Sequence, residues 1–333
     1  MHHKLLWVLL VILLILLAFV DIAFGSVSIP YKEIIHFFSG VKIEEKYYII
    51  ITEFRIPKTL TAITAGAALS VAGLQMQTFF KNPLAGPYIL GISSGASLGV
   101  ALLLMSPLPL FFNQFINISW LTVISAGMGS VAVLLIIFAV SIKVKDVMTI
   151  LIIGILIGSA ISAFVSLLQY FGSQTEVKTF IVWTMGSLTG VTSEQLKILL
   201  LFTGMGLLIS IFSIRILNVL LLGENYAKTS GLNLRISGII IFTSTGILAG
   251  AVTAFCGPIG FVGIIVPHLA RMIFKTANHK ILIPASAGIG AALILISDII
   301  AQLPGYQGTL PINSVTAILG IPIVIRIILR NKI

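Results

Sequence analysis

The sequence predicts an all-α, polytopic membrane protein with about ten transmembrane helices and both termini in the cytoplasm. Of its 333 residues, 58% are hydrophobic and only 9% are charged, whereas about 25% of the residues in a soluble domain are charged. The mean hydropathy is +1.15, and the apolar segments have about the length of 20 residues that crosses a bilayer core. Residues 1–333 are therefore predicted to form a single transmembrane domain.

Ten apolar segments are predicted as spans. The first could also be a signal peptide, because Ala23-Phe24-Gly25 would serve as a cleavage site. A retained helix is preferred, since the apolar stretch continues to Phe24 and the later topology is then consistent. The spans are predicted at Leu5–Val20, Leu60–Phe80, a segment from Gly91 onward, Ile118–Val140, Val147–Tyr170, Glu194–Ile214, Ile236–Phe255, a short segment ending at Pro267–Arg271, Ile281–Ile300 and Leu310–Leu329.

The basic residues support this orientation. The net charge is +10, but Lys and Arg never form the dense run that is typical of nucleic-acid binding, so no nucleic-acid partner is expected. Thirteen of the 20 Lys and Arg residues fall on the predicted inner side and seven outside, which agrees with the positive-inside rule. The seven outside are Lys32, Lys42, Lys46, Arg55, Lys58, Lys178 and Lys197.

A stretch from Arg55 to Gly99 organises the chain as a helix, a break and a second helix. Gly66 and Gly73 lie on nearly one face of the first helix, and Gly91, Gly95 and Gly99 recur every four residues in the second. Such spacing lets membrane helices pack closely. Two prolines interrupt the helix between them, and a polar break of this kind must lie at a membrane edge or line a cavity. The interruption is Lys81-Asn82-Pro83-Leu84-Ala85-Gly86-Pro87.

The same stretch carries four motifs in order: R-x-P-[RK], G-A-x-L-x-x-x-G-x-x-x-Q, N-P-L-A-x-P and G-x-x-x-G-A. They begin at Arg55, Gly66, Asn82 and Gly91. This composite resembles the permease family of type II ABC importers, which move iron-siderophore complexes, haem and cobalamin. The resemblance covers residues from about 55 to 325 and implies a homodimer in a bacterial inner membrane. It also implies two ABC ATPase subunits and an extracytoplasmic substrate-binding protein as partners.

Arg55 and Lys58 begin the second span on its outer side. They could be anchors whose charged ends stay in the lipid headgroups. The resemblance instead implies that basic residues at these positions dock acidic residues of the binding protein. The chain departs from the family pattern because Lys58 stands where arginine is usual and Gln302 stands where a third basic residue is common. Thr309-Leu310-Pro311 likewise replaces the usual glutamate-leucine-proline.

Two further segments are predicted to act in transport. Asn82 and Leu84 match positions that form a cytoplasmic gate in the family, and a second constriction is expected near Val147–Thr149. The polar segment of about 215–235 could be a simple connecting loop, but it contains a short helix bearing small residues that could fit a partner's cleft. The resemblance implies that this helix couples to the ATPase through Gly223, Glu224, Ala227 and Gly231.

The chain has no G-x-x-x-x-G-K-[ST] loop, so it is predicted to be no enzyme, and ATP and Mg²⁺ would bind the partner ATPase. No cofactor is expected in the chain itself. No metal site is expected either, since Cys256 is the sole cysteine and the five histidines are scattered. His268 is expected to be a helix-terminal residue held by a backbone carbonyl.

The predicted function is ATP-driven import of an iron complex by alternating access, with ferric siderophore preferred over haem or cobalamin. The alternative is a proton-coupled secondary transporter that depends on Asp298, because an acid within a membrane helix is a functional candidate. An interfacial acid bonded to a neighbouring helix would be the structural explanation. The sequence does not separate the possible cargoes.

Overall fold

The computed structural model describes residues 2–25, 27–106, 117–144, 146–302 and 309–330. Some predictions concern residues outside these ranges. The sequence also predicts a turn at Pro107-Leu108-Pro109, a turn from Gln302 to Thr309, a cytoplasmic cluster at Lys143-Val144-Lys145-Asp146 and an inner position for Lys332; of these, residues 107–109, 145, 303–308 and 332 lie outside the described ranges.

Fourteen helices and no strands are found in the described residues, so the predicted all-α class is confirmed. Helix α3 is continuous from Glu45 to Phe79 and includes a wider π-helical stretch at Ile50–Arg55. The helices are α1 (His2–Ala23), α2 (Tyr31–Phe38), α3 (Glu45–Phe79), α4 (Ile92–Leu104), α5 (Ile118–Lys143), α6 (Val147–Phe171), α7 (Gln174–Thr184), α8 (Ser193–Phe212), α9 (Ile214–Leu220), α10 (Glu224–Thr229), α11 (Leu234–Cys256), α12 (Val262–Phe274), α13 (His279–Ala301) and α14 (Ile312–Arg330).

Seven of the described helices are long and apolar enough to cross a membrane: α1, α3, α5, α6, α8, α11 and α13. The apolar helices α4 and α12 have 13 residues each, a length of about 20 Å, which is shorter than a bilayer core of about 30 Å. The structure therefore supports a polytopic membrane protein, while ten spans and the side of each terminus stay predictions.

Helix α3 lies at the centre of the fold. Of its most apolar stretch, 83% is buried, against 6% for the peripheral helix α1. It packs against α13, α12, α11 and α8. Following the predicted topology, the end of the bundle that contains the start of α3 is called the outer end, and the end that contains Phe79 is called the inner end.

Two glycines allow this central packing. A Cβ atom on Gly66 would overlap the backbone carbonyl of Gly290 in α13, and one on Gly73 would overlap that of Gly263 in α12. Both overlaps are far inside the 3.0 Å that real Cβ atoms respect. The backbones themselves are in contact at these points, as is typical of helices that associate within a bilayer.

The second pair of predicted packing glycines joins α4 to α5. A Cβ on Gly95 would overlap the carbonyl of Gly129, and one on Gly99 would overlap that of Ser125. Gly91 differs from the expectation of a helical position, because it precedes α4 with a positive φ of 78°. Glycine adopts this left-handed conformation without the steric cost that a Cβ brings. Gly91 therefore starts the helix rather than lining one of its faces.

Gly73→Ala is expected to reduce the yield of folded protein and its thermal stability. Overpacking costs about 1–3 kcal/mol when side chains can move, and here the obstruction is backbone, so the loss should be larger. The measurement is fluorescence-detected size exclusion during heating.

Gly127→Ala is the matched control, since Gly127 lies within α5 and a Cβ there would meet nothing within 4 Å. The added methyl should be neutral or stabilising. Equal melting of the two variants would contradict the packing account.

Candidate functional site

A buried ion cluster joins α1, α3 and α13 at the outer end. The Lys58 ammonium lies 2.8 Å from Asp298 Oδ2 and 3.4 Å from Asp21 Oδ1. The Thr59 hydroxyl donates to Asp21 Oδ2 at 2.5 Å, and the Gln302 amide donates to Asp298 Oδ2 at 2.5 Å. We call Asp21, Lys58, Thr59, Asp298 and Gln302 the outer ion cluster. All five residues are buried.

Arg55 lies next to this cluster and caps the end of α1. Its guanidinium donates to the carbonyl of Ile22 at 2.6 Å, to that of Ala23 at 2.8 Å and to that of Val27. The last carbonyls of a helix lack partners within the helix and carry partial negative charge. A guanidinium placed there satisfies them and also interacts with the helix dipole.

These contacts change the interpretation of Arg55 and Lys58. Both are only 4% exposed, and both bind the outer end of α1 rather than face the solvent. A cavity of about 310 Å³ lies beside them, and Gln302 and Thr309 also line it. The docking role stays a prediction, and the structure gives both residues an intramolecular role that the motif did not indicate.

Asp21 and Thr59 are the residues of this site that the sequence analysis missed as functional positions, and Asp21 is the one with a signal in the sequence. It is the single acid in the apolar helix α1, and this isolation within a hydrophobic segment was the available signal. Its partners lie 37 and 38 residues further along the chain. No local pattern specifies such a pairing.

The predicted gate residues lie in the break between α3 and α4. The Asn82 side chain accepts a hydrogen bond from the Leu84 amide at 2.9 Å, and Leu84 is exposed. His268 Nε2 lies 2.9 Å from the carbonyl of Pro83, so the expectation that a backbone carbonyl holds His268 is confirmed. The expectation that His268 is helix-terminal is wrong, because it lies in the middle of α12. This contact holds the break against α12.

The second predicted constriction lies at the start of α6. Asp146 caps this helix by accepting from the amide of Thr149 at 2.8 Å and from its hydroxyl at 2.6 Å. These hydrogen bonds, chiefly that of the hydroxyl, lower the pKa of Asp146 below its ordinary value. Among the described residues, no hydrogen bond links this segment to Asn82 or Leu84.

The predicted coupling segment forms the short helix α10. Gly223 and Gly231 flank it with φ values of 104° and 80°, which disfavour any residue with a Cβ. Ala227 is fully buried in the core of this chain, so it does not face a partner. Tyr226 is 53% exposed and is the aromatic side chain that α10 presents outward. The side chain of Glu224 is outside the described residues.

Comparison with known proteins assigns this helical fold to a protein family. The model of the FecCD transport family matches residues 11–330. The chain belongs to the FecCD transport family. Its helices, motifs and break between α3 and α4 are therefore those of a membrane permease of an ABC importer.

Two curated relatives of this FecCD chain are permease proteins. The hemin transport system permease protein HmuU of Yersinia pestis is 33% identical over 329 residues, which cover 97% of this chain and 95% of that protein. The vitamin B12 import system permease protein BtuC of Escherichia coli is 33% identical over 284 residues, or 85% of each chain. The match to HmuU spans nearly the whole sequence.

Solved structures share the fold. A metal-chelate type ABC transporter in an inward-facing conformation superposes with a TM-score of 0.83 at 29% identity, covering 98% of this chain and 99% of the other. PsaBC from Streptococcus pneumoniae, solved with a Fab, superposes with a TM-score of 0.54 at 16% identity over 88% of this chain and 94% of its own. The second likeness concerns the fold alone.

Lys58→Met is expected to destabilise the FecCD chain strongly, because it leaves two buried carboxylates without their shared cation. Removing one partner of a buried ion pair costs about 3–5 kcal/mol. The loss should appear as a lower melting temperature of the purified protein. Lys42→Met removes the same charge from an exposed position and serves as the control. If both variants melted like the wild type, the outer ion cluster would not hold α1 in place.

Proposed function

We propose that the chain is the membrane-spanning subunit of an ATP-driven importer for a bulky metal chelate. Within that class we propose an iron complex, preferably a ferric siderophore, with haem and cobalamin as the other candidates. The observation that carries the proposal is the family match over residues 11–330, together with a hemin permease relative that covers 97% of this chain. The relatives that handle hemin and vitamin B12 and the metal-chelate neighbour support the cargo class.

We propose that two copies pack about a twofold axis with the translocation path between them. An isologous pairing of one subunit type can enclose a central channel. The ten apolar segments, including those of the shorter helices α4 and α12, would then cross the membrane ten times, with both termini in the cytoplasm. Asn82 and Leu84 would form a cytoplasmic gate, since irregular backbone at membrane depth is tolerated where it lines a path for solute.

Transport would follow alternating access in a bacterial inner membrane. ATP binding to two ATPase subunits and docking of one extracytoplasmic binding protein would each favour one state of the pore through differential affinity. ATP and Mg²⁺ would be bound by the ATPase, and this chain would hold no cofactor. The cavity beside Arg55 and Lys58 is the proposed place for an acidic side chain of the binding protein.

The proton-coupled alternative has no observation in its favour. The buried Asp298 carboxylate is 2.8 Å from the Lys58 ammonium and accepts a hydrogen bond from Gln302. A fixed ion pair of this kind accounts for an acid within a membrane helix without any proton transfer.

The proposed cargo and energy source can be tested in proteoliposomes that contain this permease with its cognate ATPase and binding protein. Uptake of a ferric siderophore, haem and cobalamin is measured in parallel, with ATP or with a non-hydrolysable analogue inside. We expect ATP-dependent uptake of one chelate that a protonophore leaves unchanged. Uptake that requires a proton gradient, persists without the ATPase and is lost in Asp298→Asn would overturn the proposal.

The proposed coupling role of α10 predicts that Tyr226→Ala weakens binding of the ATPase about tenfold or more, since buried aromatic side chains often dominate protein interfaces. Gly223→Trp should weaken it further, because Gly223 has a φ of 104°. The measurement is co-purification in mild detergent with titration of the ATPase.

Tyr31→Ala is the matched control for Tyr226→Ala. Tyr31 is 72% exposed on α2, at the opposite end of the bundle in the predicted topology. A loss of ATPase binding in Tyr31→Ala equal to that in Tyr226→Ala would show a general destabilisation rather than a contact at α10.

A further inference from the structure

Helix α2 lies at the outer end of the bundle, on the segment that joins α1 to α3. One side of this helix packs on the rest of the protein. Ile34 is only 1% exposed and forms a small buried cluster with Ile29 and Ile51, against which Phe37 also packs. The last turn of α1 packs against the same cluster. Helix α2 is therefore fixed to the outer ends of α1 and α3.

A second side of α2 is apolar and exposed. Tyr31 is 72% exposed, Ile35 is 57% exposed and Phe38 is 52% exposed. Residues at positions i, i+4 and i+7 of a helix share one face, so these three side chains form a continuous surface, which we call the outer apolar face. Exposed apolar surfaces of this kind mark contacts with a membrane or with another protein. The outer apolar face therefore requires a partner.

A third side of α2 is polar. Lys32 and His36 are both exposed, and their spacing of four residues places them on one face. The protein-facing, apolar and polar sides follow one another around the helix, since successive residues are about 100° apart. A helix that lies in a membrane surface has an apolar side among the acyl chains and a polar, often cationic, side in water. The three sides of α2 fit a position where protein, lipid and water meet.

The outer apolar face continues the exposed surface of α1. The ring centroids of Phe38 and Phe19 are 5.6 Å apart, and Phe19 shares an exposed face of α1 with Ile15 and Leu16. Because only 6% of the most apolar stretch of α1 is buried, this face of a spanning helix contacts lipid. Phe19 lies four residues before the end of α1 at Ala23, which is a distance of about 6 Å along the helix. Phe38 therefore lies at the level of the last turn of α1, where acyl chains meet headgroups.

An exposed tyrosine of α3 lies beside the same surface. Tyr48 is 53% exposed, and its ring centroid is 5.9 Å from that of Phe37. Tyrosine and tryptophan are enriched at membrane–water interfaces, because their rings are apolar and their tips are polar. Tyr31 on α2 and Tyr48 on α3 are therefore of the residue type that is expected at this level.

We propose that α2 lies in the membrane surface at the outer end of the bundle, with the outer apolar face among the acyl chains of lipids and with Lys32 and His36 in water. The partner of this face is the lipid surface itself. Continuity with the lipid-facing side of α1 favours lipid over a soluble binding protein, which would cover the end of the bundle rather than its side. The proposal rests on α1 crossing the bilayer, and the topology of the proposed function makes the contacted leaflet the outer one.

Site-directed spin labelling tests this position. The variants Ile35→Cys, Phe38→Cys and His36→Cys are labelled and reconstituted into lipid vesicles without the ATPase or the binding protein. Cys256 is buried, so the unaltered protein shows how much label enters elsewhere. Power saturation compares the collisions of each label with oxygen, which concentrates in hydrocarbon, and with a water-soluble nickel chelate.

The labels at positions 35 and 38 are expected to collide more with oxygen than with the nickel chelate. Their depth should be about 5–10 Å into the boundary between headgroups and acyl chains, as is typical of interfacial helices. His36→Cys is the matched control, because His36 is the next residue after Ile35 and is exposed on the polar side. Its label should collide more with the nickel chelate. Agreement between positions 35 and 38 shows that no single label has displaced the helix.

Three results would overturn the proposal. Access of the nickel chelate to positions 35 and 38 that equals its access to position 36 would place the outer apolar face in water. Access that is lost only when the binding protein is added would assign the face to that partner. Strong dipolar broadening between the labels at position 35 of two copies would assign it to a second permease subunit. Because no ATPase or cargo is present, each of these results leaves the proposed function to its own uptake test.

Discussion

The fold depends on direct backbone contact between helices at the centre of the bundle. At Gly66 and Gly73, α3 touches the carbonyl-bearing backbones of α13 and α12, and no side chain separates them. Because lipid tails are as apolar as the side chains, helices in a bilayer gain little from apolar burial and associate through close packing and interhelical hydrogen bonds. The Gln75 amide group adds such bonds, since it donates to Ser244 at 3.1 Å and accepts from Thr245 at 3.0 Å.

The charged groups of the two ends follow different rules. At the outer end, Lys58 is buried between two carboxylates, and a buried charge is tolerated only when it is paired. At the inner end, Arg271 meets only the neutral Gln77 through its described hydrogen bond and lies at the edge of a cavity. The outer end thus uses its charges to attach α1, while at the inner end the Arg271 guanidinium is held by a neutral amide beside a cavity.

Most helices and the class of protein could be predicted from the sequence, because a run of about 20 apolar residues has few alternatives to a spanning helix. The bounds of α5, α6, α11 and α13 lie within a few residues of the predicted spans. The glycine positions also indicated where helices approach, except that Gly91 lies just before its helix. The helix positions and the protein class depend on composition and on the order of local motifs, so they could be predicted from a single sequence.

The side chains of the candidate sites were less predictable, because their roles depend on which distant segments meet. Nothing near Lys58 in the sequence indicates that Asp21 and Asp298 enclose it. Ala227 is buried because this side of α10 faces the bundle. The spacing of four residues between Gly223, Ala227 and Gly231 does not specify which side of the helix that is. Motifs therefore located the segments of the predicted sites, but they did not indicate which way individual residues face.

The π-helical stretch at Ile50–Arg55 has a consequence for comparing this chain with its relatives. Its i to i+5 hydrogen bonds enclose one residue more than the i to i+4 bonds of an α-helix do, so the stretch is equivalent to a single-residue insertion. A relative with a regular α-helix at this point would require a one-residue gap in an alignment. In such a relative, the residues before the arginine that aligns with Arg55 would point in different directions around the helix axis. The same motif could then be surrounded by different side chains in the two proteins.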